Sequence, residues 1–165
     1  MNEKRPTEKV TPLIHATYLK LVDNAVGSNM FRVMYAVVND AKKDIMIDGD
    51  FSCAFFVSSV LKIFGQIGRV HATVDSTIKD LKQSGWNESP GLKEGAILVW
   101  EGKIDESGEI HKHLGFYLGD NLSVSNSSET KTPQKHHYTY GEINGEPVRK
   151  VTNIFWKEKE AWEKI

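Results

Sequence analysis

The sequence has a single cysteine, Cys53, among its 165 residues. One cysteine excludes an intrachain disulfide and a zinc site built from several thiolates. No apolar run approaches the roughly 18 residues of a membrane-spanning helix, so we expect no membrane span. Neither charge is in excess, with 21 Lys and Arg against 22 Asp and Glu. Because there is no basic surplus to neutralise phosphates, we expect no nucleic-acid partner.

The composition is that of an ordinary globular protein, with 39% hydrophobic and 26% charged residues. At this length a chain can bury roughly 70% of its unfolded surface, so one domain can hold a core without crosslinks. We expect a polar tail over residues 1–10 and a single monomeric domain over residues 11–165. No signal peptide is recognisable in this sequence. Localisation stays open between the cytoplasm and export by a route that the sequence does not show.

The apolar pattern predicts helices first and strands second. Apolar residues recur at helical spacing in four segments, 12–26, 30–38, 51–64 and 74–83. Extended, β-rich patterns follow at 96–100, 114–118, 122–126 and 148–156. A polar loop is expected over 127–140. This order favours an α+β domain with a largely antiparallel sheet.

Cys53 lies at the predicted start of the most apolar helix. Residues 48–50, Asp-Gly-Asp, indicate a turn, so Cys53 falls in the first helical turn. Unpaired backbone N–H groups and the positive end of the helix dipole lie there, and they favour a thiolate over a thiol. A catalytic nucleophile is therefore one interpretation. The alternative is core packing, since Cys53 also heads an apolar stripe and free cysteine is commonly buried.

His113 begins the strongest predicted strand. The two-residue period places Leu114 and Phe116 on the core face and His113 with Gly115 on the other. Asp120 and Asn121 are typical of a two-residue hairpin turn.

The register of this hairpin decides which polar residue lies near His113. Without a bulge, Gly115 pairs with Asn126, whose side chain then lies within reach of His113. A bulge at the turn would put Ser125 there instead. The predicted catalytic residues are thus Cys53, His113 and Asn126, with Ser125 as the alternative orienting residue. In such a site the imidazole accepts the thiol proton, the amide orients the ring, and the thiolate attacks a carbonyl.

Three segments together resemble papain-like cysteine peptidases of the NlpC and CHAP types. Residues 50–57 resemble their cysteine helix, 92–100 the segment that follows it, and 113–119 their histidine strand. The resemblance extends from about residue 49 to residue 126. It implies a papain-like fold, with the cysteine helix packed on an antiparallel sheet that carries the histidine. It also implies hydrolysis of an amide bond, typically in bacterial cell-wall peptides, without metal or cofactor.

The same resemblance makes Cys53 the nucleophile and His113 the base. The backbone N–H of Cys53 is the first expected donor to the oxyanion, and the sequence assigns no second donor. Three aromatic side chains are candidates to line a substrate cleft: Trp86, Trp100 and Tyr117.

Two other functions compete with catalysis by Cys53. The first is a metal hydrolase in which His111, His113, His136 and His137, with Glu129, supply the ligands. The second is an inactive binding domain on the same fold. Acyl transfer and deamidation by the same Cys–His pair are also open, because they use the same groups.

Overall fold

A computed structural model describes residues 9–104 and 108–162. Residues 1–8 of the predicted polar tail lie outside the described residues. The described residues form three α-helices, which are α1 (Ile14–Asn24), α2 (Cys53–Ile63) and α3 (Val74–Gln83). The ten strands are β1 (Tyr35–Val38), β2 (Ala41–Asp44), β3 (Asn87–Glu88), β4 (Ile97–Ile104), β5 (Ile110–Gly119), β6 (Leu122–Asn126), β7 (Pro133–His137), β8 (Glu142–Ile143), β9 (Glu146–Pro147) and β10 (Val151–Trp156). Two 3₁₀ turns cover Asn29–Phe31 and Lys159–Ala161.

One six-stranded sheet organises the protein. Its strand order is β3-β10-β4-β5-β6-β7, and every neighbouring pair is antiparallel. The remaining strands form two small hairpins, β1–β2 and β8–β9. The predicted class, α+β with an antiparallel sheet, is confirmed.

The helices cover one face of the sheet, and α2 packs on β5 and β6. Its apolar stripe is buried as its helical spacing predicts, and Phe56, Val57 and Leu61 are fully enclosed. Strand residues of the same core include Leu114, Phe116 and Val124. Helical spacing predicts that Ser58 faces water, but Ser58 is buried. Its hydroxyl is satisfied there because it donates to the carbonyl of Ala54 at 2.7 Å.

The opposite face of the sheet is covered as well. A second apolar cluster there contains Leu98, Trp100, Tyr117 and Trp156, with Tyr140 packed against it. This is the face of His113, because β4 pairs Trp100 with His113. His113 therefore borders an aromatic layer.

The β5–β6 hairpin departs from its predicted register. The turn at Asp120 and Asn121 forms as predicted, and both residues have positive φ. A bulge then shifts the register, so Gly115 pairs with Ser125. The pairing of Gly115 with Asn126 was wrong.

Two further segments differ from the sequence prediction. The helix expected over 30–38 is instead a 3₁₀ turn followed by β1, which pairs with β2. Part of the expected polar loop forms β7, the edge strand beside β6.

In the described ranges, no helix combines the length and apolar character that crossing a bilayer requires.

Candidate active site around Cys53 and His113

Cys53 is the first residue of α2, as the turn signal before it predicts. Ser52 precedes it without forming a side-chain capping bond, so the N–H groups of the first turn keep their capacity to donate. The side chain is part-buried. Among the described residues it is the one cysteine, and it lies where the helix meets the sheet.

Cys53 lies where α2 packs on β5 and β6. The backbone N–H groups of Leu114 on β5 and Ala54 on α2 favour the thiolate form of Cys53 and thereby act to lower its pKa. Leu114 directly follows His113 on β5, so the cysteine helix meets the strand that carries the histidine.

Burial nevertheless raises the pKa of the Cys53 thiol above its ordinary value. The backbone donors and the positive charge of Arg149 oppose this rise without cancelling it. The expectation that the helix start lowers this pKa was therefore wrong. Desolvation of a thiolate in this position outweighs the stabilisation by the helix N-terminus.

His113 is part-buried against aromatic rings. Its ring centroid lies 5.5 Å from that of Trp100 and 6.4 Å from that of Tyr140. Burial, followed by the charges of Arg149, His136 and Lys103, lowers the pKa of His113 to about 3. The imidazole is therefore neutral at pH 7 and can accept a proton. No hydrogen bond joins it to the Cys53 sulfur within the described residues.

Ser125, His136 and Tyr140 form a directed hydrogen-bond chain on the same face as His113. His136 Nδ1 lies 2.7 Å from the carbonyl of His137, which can only accept, so Nδ1 carries the proton. Burial lowers the pKa of His136, so its Nε2 is unprotonated at pH 7 and accepts from Ser125 Oγ at 2.8 Å. The Ser125 oxygen then accepts from the Tyr140 hydroxyl at 2.9 Å. The rings of His136 and Tyr140 stack with centroids 3.9 Å apart.

Neither predicted orienting residue bonds to His113 in the described structure. Asn126 projects to the helical face, where its Nδ2 donates to the carbonyl of Gly49 at 2.7 Å. The assignment of Asn126 as the orienting residue was wrong because it depended on the unbulged register. Ser125 does lie on the face of His113, but its hydroxyl is used by His136 and Tyr140.

The hydrogen bond of Asn126 instead holds the loop before α2 in place. An ion pair between the Lys131 ammonium and the Asp50 carboxylate also holds this loop. Both bonds fix the loop that leads into Cys53, so this part of the candidate site is held from the β6–β7 side.

Arg149 is a charged neighbour of this cluster that no sequence signal predicted. Its Nε and Nη2 donate to the carbonyl of Glu101 at 3.1 and 2.9 Å, and Nη2 donates to the carbonyl of His111 at 3.3 Å. The guanidinium carbon lies 5.9 Å from the ring centroid of Tyr140. Arg149 is 8% exposed.

The aromatic residues predicted to line a cleft are all buried. Trp86 is 2% exposed and lies in the helical core, where its indole donates to the carbonyl of Gln66. Trp100 is fully buried beneath the histidines, and Tyr117 is 8% exposed. The cleft role was wrong for these three, because both faces of the sheet are covered.

The described residues do not form the alternative metal site, because the histidine and carboxylate side chains proposed as its ligands do not lie together. Among the described residues, no three His, Cys, Asp or Glu side chains gather as metal ligands. The His136 ring is occupied by Ser125 and by the carbonyl of His137. His137 bonds through Nδ1 to the Thr139 hydroxyl.

The described residues form an α+β protein with a cysteine at the start of a helix that packs on the strand of a neutral histidine. No protein-family model matches the chain, and a search of curated protein sequences finds no match either.

Proposed function

We propose that this protein is a papain-like cysteine amidohydrolase that cleaves a peptide amide, such as those of peptidoglycan. The observation that carries the proposal is the placement of Cys53 in the first turn of α2, which packs on β5, the strand that bears the neutral imidazole of His113. The backbone N–H of Leu114, the residue after His113, favours the thiolate form of Cys53. The cysteine helix on an antiparallel sheet supports the papain-like assignment, together with the resemblance of residues 50–57, 92–100 and 113–119 to that class.

In the proposed reaction, His113 takes the proton of the Cys53 thiol as the sulfur attacks the carbonyl carbon of the substrate. The sulfur forms a bond to the carbonyl carbon, and the backbone N–H of Cys53 donates to the oxyanion. The amide C–N bond then breaks, and the imidazolium gives its proton to the leaving amine. Water then attacks the carbonyl carbon of the resulting thioester and gives up a proton to His113. The C–S bond breaks to release the carboxylic acid, and the imidazolium returns the proton to the sulfur. The products are a carboxylic acid, an amine and the regenerated thiol.

The raised thiol pKa and the lowered imidazole pKa define the resting state. Both groups are neutral at pH 7. The ion pair therefore forms during the reaction, so the free protein is expected to react slowly with alkylating agents at neutral pH. This corrects the expectation of a standing thiolate without removing the chemistry.

The test is hydrolysis of soluble peptide fragments of bacterial peptidoglycan, followed by mass spectrometry of the new amine and acid ends. Cys53→Ala and His113→Ala are expected to abolish cleavage, whereas His137→Ala retains it because that ring bonds Thr139. Iodoacetamide should stop cleavage as one label per chain is incorporated, since no other cysteine is present. Cleavage by Cys53→Ala would overturn the proposal. Failure of the wild type to cleave any fragment would favour the inactive binding domain.

A further inference from the structure

A cavity of about 800 Å³ lies between α3 and the loop that joins α2 to α3. This volume is in the range of sites that bind small molecules. The proposed hydrolysis uses none of the residues that line it. The lining includes four charged or ionisable side chains, which are Arg69, His71, Lys79 and Asp80.

Hydrogen bonds hold the loop wall of this cavity in place. The Asp80 carboxylate accepts from the backbone N–H groups of Gly68 and Arg69 at 2.9 and 3.0 Å. The hydroxyl oxygen of Ser58 on α2 accepts from the backbone N–H of His71 at 2.9 Å. The wall is therefore fixed by the fold itself, as in ligand sites that are formed before the ligand arrives.

The His71 ring is oriented by Asp80 and keeps one nitrogen available. The pKa of Asp80 is about 2, so its carboxylate is ionised at pH 7 and can only accept. His71 Nε2, at 2.7 Å from that carboxylate, therefore carries a proton. Among the described residues Nδ1 has no hydrogen-bond partner, and it is not one of the enclosed polar atoms. It can accept from a ligand when the ring is neutral and donate to one when the ring is protonated.

Arg69 and Lys79 bring two positive charges to the same cavity. Both side chains are exposed, and within residues 9–104 and 108–162 neither forms an ion pair or a hydrogen bond. Asp80 is the one acidic residue of the lining. It is 8% exposed, and its oxygens accept four hydrogen bonds from the protein. The accessible surface of the cavity therefore has an excess of positive charge.

We propose that this cavity binds a small organic anion, whose carboxylate or phosphate group pairs with Arg69 and Lys79. Both groups match the planar fork of a guanidinium and attract an ammonium. The apolar part of the ligand would contact Val70 and Ala72, which also line the cavity. The ligand supplies the opposite charge that the two cations lack within the described residues. This site is separate from the proposed hydrolysis and does not depend on it.

The first experiment compares three probes of similar shape on the wild-type protein. Benzoate carries a carboxylate, phenyl phosphate carries a phosphate, and benzamide is the uncharged control. The amide signals of residues 68–73 and 76–83 are followed by NMR during titration with each probe. At least one anion is expected to bind with a Kd of about 1 to 10 mM, as its size allows. It should bind at least about tenfold more tightly than benzamide, and the tighter anion identifies the preferred group.

Three results of this titration would overturn the proposal. The first is the absence of saturable shifts with both anions. The second is equal binding of benzamide, because charge would then play no part. The third is a set of shifts confined to residues outside the cavity.

The second experiment removes one charge at a time with Arg69→Gln and Lys79→Gln. Each change should weaken binding of the preferred anion at least about threefold, and added salt should weaken binding to the wild type. Lys82→Gln is the matched control, because Lys82 lies on the same helix but pairs with Glu88 at 3.0 Å and does not line the cavity. Its affinity should equal that of the wild type. Unchanged affinity in both cavity variants, or the same loss in Lys82→Gln, would contradict the inference.

Discussion

The backbone N–H of Leu114 on β5 favours the thiolate form of Cys53 at the start of α2 and so opposes the rise of the thiol pKa. This relationship connects the first turn of α2 to the middle of β5. Leu114 directly follows His113, so the packing of α2 on β5 brings the cysteine helix to the strand that carries the histidine.

The stability of the protein should fall in mild acid because His113 is buried in its neutral form. Its folded-state pKa of about 3 lies below its ordinary value of 6.5. Between these values the unfolded chain binds a proton that the folded chain does not, so stabilisation present above pH 6.5 is lost as the pH falls. At about 1.4 kcal/mol per unit, the free energy of unfolding should drop by about 3 kcal/mol between pH 7 and pH 4.

Urea unfolding at several pH values measures this drop. His113→Gln removes the titrating group and should flatten the pH dependence. A residual slope is expected from His15 and His136, since burial lowers the pKa of both. Identical slopes in the wild type and the variant would show that His113 is not buried neutral in solution.

Asp80 should be a major stabilising residue outside the candidate site. Its carboxylate accepts the N–H groups of Gly68 and Arg69, the His71 ring at 2.7 Å and the Ser84 hydroxyl. Burial opposes the charged form, but these bonds outweigh it and hold the pKa of Asp80 at about 2. Asp80→Asn should therefore lower the free energy of unfolding by about 2 to 4 kcal/mol at pH 7.

Asp75→Asn is the matched control, since Asp75 lies on the same helix and its carboxylate, 79% exposed, pairs with Lys112. That change should cost less than about 0.5 kcal/mol. Because the folded pKa of Asp80 lies below the unfolded one, the difference between wild type and Asp80→Asn should shrink as the pH falls below about 4. Equal losses from both substitutions would argue against a special role for Asp80.

Gly115 should tolerate no side chain. A Cβ there would lie 2.6 Å from the carbonyl oxygen of Val124 and 2.9 Å from the Trp100 ring. Gly115→Ala should cost about 1 to 3 kcal/mol in denaturant unfolding and shift the fluorescence of the buried Trp100. Gly91→Ala is the control, since a Cβ at Gly91 meets no atom within 4 Å. A Gly115→Ala protein as stable as Gly91→Ala would contradict the close packing of Trp100 on β5.

Local sequence patterns predicted the elements that carry the candidate site. The 3.6-residue period over 51–64 predicted α2, and its turn signal placed Cys53 at the helix start. The two-residue period around His113 predicted which face of β5 enters the helical core. These patterns succeed because burial of one face is a local consequence of residue spacing.

Other features depended on partners distant in the chain. Apolar residues at helical spacing over 30–38 predicted a helix, but residues 35–38 form β1 because β2 supplies a strand partner. β7 lacks a strong apolar pattern, yet it forms because the edge of β6 offers hydrogen bonds. Ser125 replaced Asn126 on the face of His113 through one bulge at Gly119, which has a positive φ of 92°.

The sequence by itself determined that the one thiol begins a buried helix and that His113 lies on a strand. Only the tertiary structure decided how ionisable they are, because the pKa of each depends on burial and on charges brought from elsewhere in the chain. It also brought Arg149 to the two strands beside them, since the three-dimensional path of the chain, rather than residue spacing, sets which backbone carbonyls its guanidinium meets.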